Sequence, residues 1–200
     1  MKKYPKINKI SVVIFEWESL NLGTDYNTFN QVYDPGSKKK QKAAILQVHT
    51  DQGIVGEYPM NAGVDVAEIQ SVSNYLIGKN PLSREEIYKD IKRGMRQSLN
   101  AANSYVDICL WDIAGKIYEE PIYRLLGGEK IPLKAYASTL HGDENGGLGT
   151  PQDFSDFAQE CLELGYKAFK VHGWGLARND IDREIKNVLL LGKNFENKLD

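Results

Sequence analysis

Apolar residues alternate early in the chain, with Ile10, Val12 and Ile14 on one side and Val13, Phe15 and Trp17 on the other. That period of two is the mark of a strand. The polar stretch from Ser19 to Lys40 carries Gly23, Asp25, Asn27, Asn30 and Asp34-Pro35-Gly36 and predicts a long loop, of the kind that is usually functional or mobile. Its Lys38-Lys39-Lys40 run reads as a solvated lead-in to the next strand. Alternation returns over Ala43 to His49 and Ile54 to Tyr58, which flank Asp51-Gln52-Gly53. Glycine there can supply the positive φ of a short hairpin. The three runs predict an antiparallel meander.

Helical periodicity follows. Asp65 is placed to cap a helix carrying Ile69, Val72 and Leu76, and Ser83 with Glu86 forms a capping-box pattern before Ile87, Ile91 and Met95. Gly78-Lys79-Asn80-Pro81 separates them. Ala101 to Ile117 is apolar nearly all round and predicts a helix buried on most sides. Asp107 and Asp112 within it then need partners, and structural pairing is the simpler expectation.

The pattern changes after Gly127-Gly128. Ile131 to Ser138 predicts a strand, Thr139 to Gly149 a glycine-rich loop, and Thr150-Pro151-Gln152-Asp153 a helix start with proline in the first turn. Phe154, Phe157, Ala158, Cys161 and Leu162 form one apolar stripe ending at Gly165, and Tyr166 to His172 predicts a second strand. Strand, helix and strand in this order predict a right-handed βαβ unit with parallel strands. A last helix runs from about Asp180 to Leu191, with Ile181, Ile185, Val188 and Leu189 on its inner face.

Composition narrows the function classes. The 200 residues are 42% hydrophobic and 26% charged, as in ordinary globular proteins. A net charge of -2 and a pI near 6.0 give no general attraction to nucleic acid or anionic lipid. The partner expected is a small molecule or another subunit. Cys109 and Cys161 lie among apolar residues at helical spacing, which suits buried reduced thiols and a cytoplasmic location. No signal-peptide core, membrane-length apolar run or internal repeat is read.

Candidate chemistry gathers on the second of the late strands. Phe169 and Val171 point one way and Ala168, Lys170 and His172 the other. If the sheet closes into a barrel, Lys170 and His172 project inward near the strand's C-terminal end, where barrels carry their active sites. Either could act as a proton-abstracting base. Equally, Lys170 could reach solvent from an exposed strand end while His172 hydrogen-bonds in a loop.

Several segments, in order, resemble the mandelate racemase and muconate lactonizing enzyme branch of the enolase superfamily. They are Asp51 to Glu57 (DQGIVGE), Leu76 to Leu82 (LIGKNPL), Val106 to Lys116 (VDICLWDIAGK), Pro121 to Gly128 (PIYRLLGG) and Gly165 to Lys170 (GYKAFK). The resemblance implies an α+β capping domain over residues 1–130 and, over 131–200, the start of a (β/α) TIM-type barrel truncated after about two βα units. It implies a magnesium-dependent enzyme in which a base removes the proton α to a carboxylate. The Ser19 to Lys40 loop would be a lid.

The family's Lys-x-Lys pair is matched by Lys170-Val171-His172, with histidine in the second place. By position His172 inherits the base role, and Lys170 holds the substrate carboxylate or assists His172 electrostatically. Dehydration of a sugar acid is then favoured over racemase, epimerase or cycloisomerase chemistry. Ser138, Thr139 and His141 are candidate substrate contacts, as are Tyr26 and Asn27 in the lid and Asn61 after the third strand. A polar loop explains the first three equally well.

In the family the magnesium ligands sit on the third, fourth and fifth barrel strands, so they are expected beyond residue 200, and Asp200 is not read as one. The expected enzyme is a homo-oligomer acting on a small carboxylate, with no nucleic acid or membrane partner. The chain by itself is expected to be an inactive fragment. A split enzyme and a non-catalytic interaction module are the alternatives.

Overall fold

The computed structural model describes residues 4–25, 28, 30–98, 101–172, 180–196 and 198. Tyr26, Asn27 and Asp200 therefore lie outside the described residues. The chain forms two compact units, residues 1–17 with 41–131 and residues 18–40 with 132–200.

A three-stranded sheet in the order β1 (Ile7–Thr24), β2 (Gln31–Thr50) and β3 (Val55–Asn61) begins the chain. β2 and β3 are antiparallel, in a register running from Ala43 opposite Asn61 to His49 opposite Val55. Gly53 turns the hairpin with φ of 79°, as its place in the sequence predicts. Ala44, Leu46 and Val48 share one face of β2 and are fully buried.

In the first unit that face packs with α1 (Val64–Leu76), α2 (Arg84–Gly94) and α3 (Ala101–Tyr118), and the short α4 (Ile122–Leu125) follows. Helix α3 supplies Ala102, Val106, Cys109, Leu110 and Ile113 to one continuous core. Gly56 lets β3 approach α3 closely, since a Cβ there would fall inside contact with the Cys109 carbonyl. Asp112 accepts from the Glu57 backbone N–H at 2.9 Å and from Lys116 Nζ at 2.7 Å. Its role is structural pairing, as expected.

The stretch from Ser19 to Lys40 is not a loop. Most of it continues β1 and β2 as a hairpin. Glu18 and Lys38 pair at 3.2 Å, and the Gly36 N–H donates to Asn21 Oδ1 at 2.9 Å. Hydrophobic alternation marks a strand only when one face is buried. This segment is largely exposed, so its backbone pairing leaves no apolar signature.

Two helix starts also differ from expectation. Gly63, not Asp65, precedes α1, and the Asp65 carboxylate accepts from the Tyr105 hydroxyl at 2.8 Å. Ser83 does precede α2 but makes no side-chain cap, and Glu86 instead pairs with Lys79 at 3.2 Å.

The second unit contains β4 (Ala137–Ser138), a 3-10 turn (Asp143–Gly146), α5 (Pro151–Glu163), β5 (Phe169–Lys170) and α6 (Ile181–Phe195). β4 and β5 are parallel, with Ala137 opposite Phe169 and Ser138 opposite Lys170. The βα order matches the predicted barrel opening. At the predicted start of α5, Thr150 and Asp153 form a capping box, each side chain accepting from the other's backbone N–H, at 3.2 and 2.7 Å.

Both strands are shorter than predicted. Ile131 and Leu133 are exposed, because ladder pairing reaches only two residues of each strand. Helix α6 turns a different face inward as well. It buries Asn187 and Phe195 and packs on α5, where Asn194 Nδ2 donates to Ser155 Oγ at 2.8 Å. Ile181, Ile185, Val188 and Leu189 stay exposed, since so short a sheet offers α6 little apolar floor.

Candidate functional site

The parallel register sets the geometry of the second unit's candidate residues. Side chains alternate along a strand, so Ala137 and Phe169 share one face, and Phe169 meets the Phe157 ring of α5 edge-on at 5.9 Å. Ser138 and Lys170 share the other face. Lys170 Nζ lies 5.9 Å from the centroid of the Tyr136 ring, within range of a cation–π contact.

His172 follows two residues after Lys170. Its Nδ1 lies 2.6 Å from the Thr139 carbonyl oxygen. A carbonyl can only accept, so Nδ1 carries the hydrogen and the neutral ring's lone pair sits on Nε2. The His172 backbone N–H donates to Thr139 Oγ1 at 2.7 Å, and that hydroxyl donates to the Lys170 carbonyl at 3.3 Å. His141 packs edge-on against the His172 ring, with centroids 4.9 Å apart.

Ser138, Thr139, His141, Lys170 and His172 thus form one cluster at the C-terminal ends of β4 and β5. Thr139 is buried at 3% exposure, with its hydroxyl and its carbonyl both engaged inside the cluster. Ser138 Oγ donates to the Thr139 carbonyl at 3.0 Å. Asn61 belongs to the first unit, at the end of β3.

Two features of this unit escaped sequence reasoning. Tyr136 lies on the Lys170 face, and counting two residues back from Ser138 would have found it. The hairpin tip docks on the loop after β4: the Tyr33 N–H donates to the His141 carbonyl at 2.8 Å, and Asn145 Nδ2 donates to the Tyr33 carbonyl at 3.0 Å. No local sequence signal announces that contact.

Among the described residues no group of three or more His, Cys, Asp or Glu side chains is placed to hold a metal ion. The cluster offers imidazole, ammonium and hydroxyl groups but no carboxylate, a poor donor set for magnesium. Cys109 and Cys161 are both free and buried. No helix among the described residues is long and apolar enough to cross a membrane.

A family model for the mandelate racemase / muconate lactonizing enzyme N-terminal domain matches residues 31–127. The fold is similar to that of D-glucarate dehydratase from Agrobacterium tumefaciens, solved with magnesium, at a TM-score of 0.77 and 24% identity, covering 98% of this chain and 53% of that one. An enolase-superfamily member from Polaromonas sp. JS666 gives 0.71 at 28% identity, with 98% and 50% covered. A dipeptide epimerase from Enterococcus faecalis V583, solved with Mg and L-Leu-L-Tyr, gives 0.71 at 19%, with 98% and 52% covered. The chain spans about half the length of these structures. Residues 31–127 thus match the N-terminal domain of the mandelate racemase / muconate lactonizing enzyme family, and the fold of the chain is that of enolase-superfamily structures over about half their length.

Proposed function

We propose that the chain supplies the capping domain, residues 1–130, and the barrel opening, residues 131–200, of a cytoplasmic, homo-oligomeric lyase that dehydrates a sugar acid. His172 removes the proton α to the carboxylate, and Lys170 holds that carboxylate by charge. The observation that carries this reading is the His172 ring itself, engaged through Nδ1 by a carbonyl and therefore basic at Nε2.

The chemistry asked of these residues is limited. The α proton passes to Nε2, the C–H electron pair stays on the substrate, and the imidazolium so formed keeps its Nδ1–H bond to Thr139. That pair then forms the C=C bond as the neighbouring C–O bond breaks, the departing hydroxyl takes a proton from the His172 imidazolium or another acid to leave as water, and the enol so formed tautomerises to a 2-keto acid. Lys170 and Tyr136 lie on one face, so an anionic group there meets an ammonium backed by a ring. Magnesium enters the proposal as an ion held by groups other than the described residues.

Histidine in place of the family's second lysine weighs against a racemase or epimerase. A non-catalytic module pairing with another chain is the second reading, favoured by the exposed Ile181, Ile185, Val188 and Leu189 of α6. The two are separated by following 2-keto acid formation from a panel of sugar acids with magnesium. Protein purified from its own cells is expected to be active and the isolated chain inactive. No product from any sugar acid with the native protein would overturn the dehydratase reading, and robust turnover by the isolated chain would overturn its inactivity.

A further inference from the structure

In a parallel pair every second residue of a strand donates its N–H to a carbonyl on the partner and accepts from the partner N–H two residues further along. Here the Ala137 N–H donates to the Ala168 carbonyl and the Thr139 N–H to the Lys170 carbonyl, each at 3.0 Å. The next rung would be the His172 N–H to the Thr139 carbonyl. That rung is rerouted. The His172 N–H goes to the Thr139 hydroxyl at 2.7 Å, and the Thr139 carbonyl takes the His172 ring Nδ1 at 2.6 Å instead.

We propose that Thr139 is the positioning residue of His172: its hydroxyl stands in for its own carbonyl in the ladder, and the carbonyl so released fixes the imidazole tautomer and aim. The inference rests on His172 being the base, and it adds what prepares that base.

The groups balance at every atom. Thr139 Oγ1 accepts one hydrogen from the His172 N–H and gives its own to the Lys170 carbonyl at 3.3 Å. The carbonyl has two lone pairs, and they meet the Ser138 hydroxyl at 3.0 Å and His172 Nδ1. Thr139 is 3% exposed, so neither group has easy access to water as a substitute. An apolar residue at 139 would leave the His172 N–H competing with the ring for one carbonyl. Serine would preserve the arrangement.

Nitrogen-15 NMR of the labelled 200-residue chain reads the tautomer directly, without substrate. The chain has three histidines, and the signals lost in His172→Asn assign the ring. The expected neutral wild-type form is Nδ1–H. In Thr139→Val the ratio of Nδ1–H to Nε2–H should fall about fivefold or more, the weight of one net hydrogen bond, and Thr139→Ser should restore it.

An Nε2–H ring in wild type, or an unchanged ratio in a folded Thr139→Val, would overturn the proposal. Backbone amide shifts report folding in each variant. Thr139→Ala, which makes no steric demand, replaces the valine variant if that one does not fold. Because no turnover is measured, failure of the dehydratase reading would leave this result standing, and failure here would leave His172 a candidate base without its orienting residue.

Discussion

The Tyr33 backbone N–H donates to the His141 carbonyl at 2.8 Å, tying the tip of the β1–β2 hairpin to the loop that carries one of the two clustered imidazoles. Gly142 makes room for the contact. Its φ is 84°, and a Cβ there would sit 2.6 Å from the Tyr33 carbonyl and 3.0 Å from its nitrogen. Gly142→Ala is therefore expected to release the tip, at a cost of about 1–2 kcal/mol for the left-handed backbone alone. Hydrogen exchange should quicken at Tyr33 and its neighbours while the amides of the first unit's core keep their protection.

Gly56→Ala tests the core of the first unit. The added methyl would overlap the Cys109 carbonyl and lie 2.8 Å from Ile113 Cγ1, atoms of the buried helix α3. A loss of roughly 3 kcal/mol or more is expected, at the upper end for overpacking. Urea denaturation followed by circular dichroism measures it.

Asp112→Ala is expected to cost about 1–3 kcal/mol, because the Glu57 N–H loses its acceptor. The ion pair with Lys116, whose side chain is 44% exposed, contributes little of that. Lys116→Met should accordingly be the milder change, and Asp112→Asn, which keeps an acceptor, should fall between them in the same denaturation experiment.

Burial pushes the Cys109 thiol from 9.0 up to about 12, with Asp112 and Glu57 adding to the shift. The Tyr75 phenol is raised, first by burial and then by its hydrogen bond with Asp90. Tyr105 is raised first by its bond to Asp65. In each case the folded state holds the proton more tightly than the unfolded state. Their contribution to stability is thus complete below the unfolded values and lost as pH rises through the folded ones. Unfolding midpoints should be insensitive to these groups at neutral pH and should fall above about pH 9. At neutral pH a thiol reagent should label Cys109 only as the protein unfolds.

The meander, the buried α3 and the capped α5 were legible because each carries a one-sided apolar pattern or a local cap. The distal hairpin was not, since two exposed faces leave strands without alternation. The inner face of α6 was misread for a related reason: Ile185 and Leu189 are apolar, yet α5, rather than a broad sheet, is what α6 packs against. At the site, Lys170 and His172 could be found by strand alternation. Thr139's part could not, because it depends on which atom fills one rung of the ladder.

The central claim, that His172 removes the α proton of a carboxylate substrate, is tested most directly by deuterium exchange. Native protein from its own cells, and the same protein carrying His172→Asn, are incubated with a sugar acid and magnesium in D2O. Proton NMR follows the substrate's α position and its 2-keto product. Exchange or product formation in wild type should drop by about 100-fold or more in the variant, the usual weight of a general base. Equal rates in the two proteins would contradict the account.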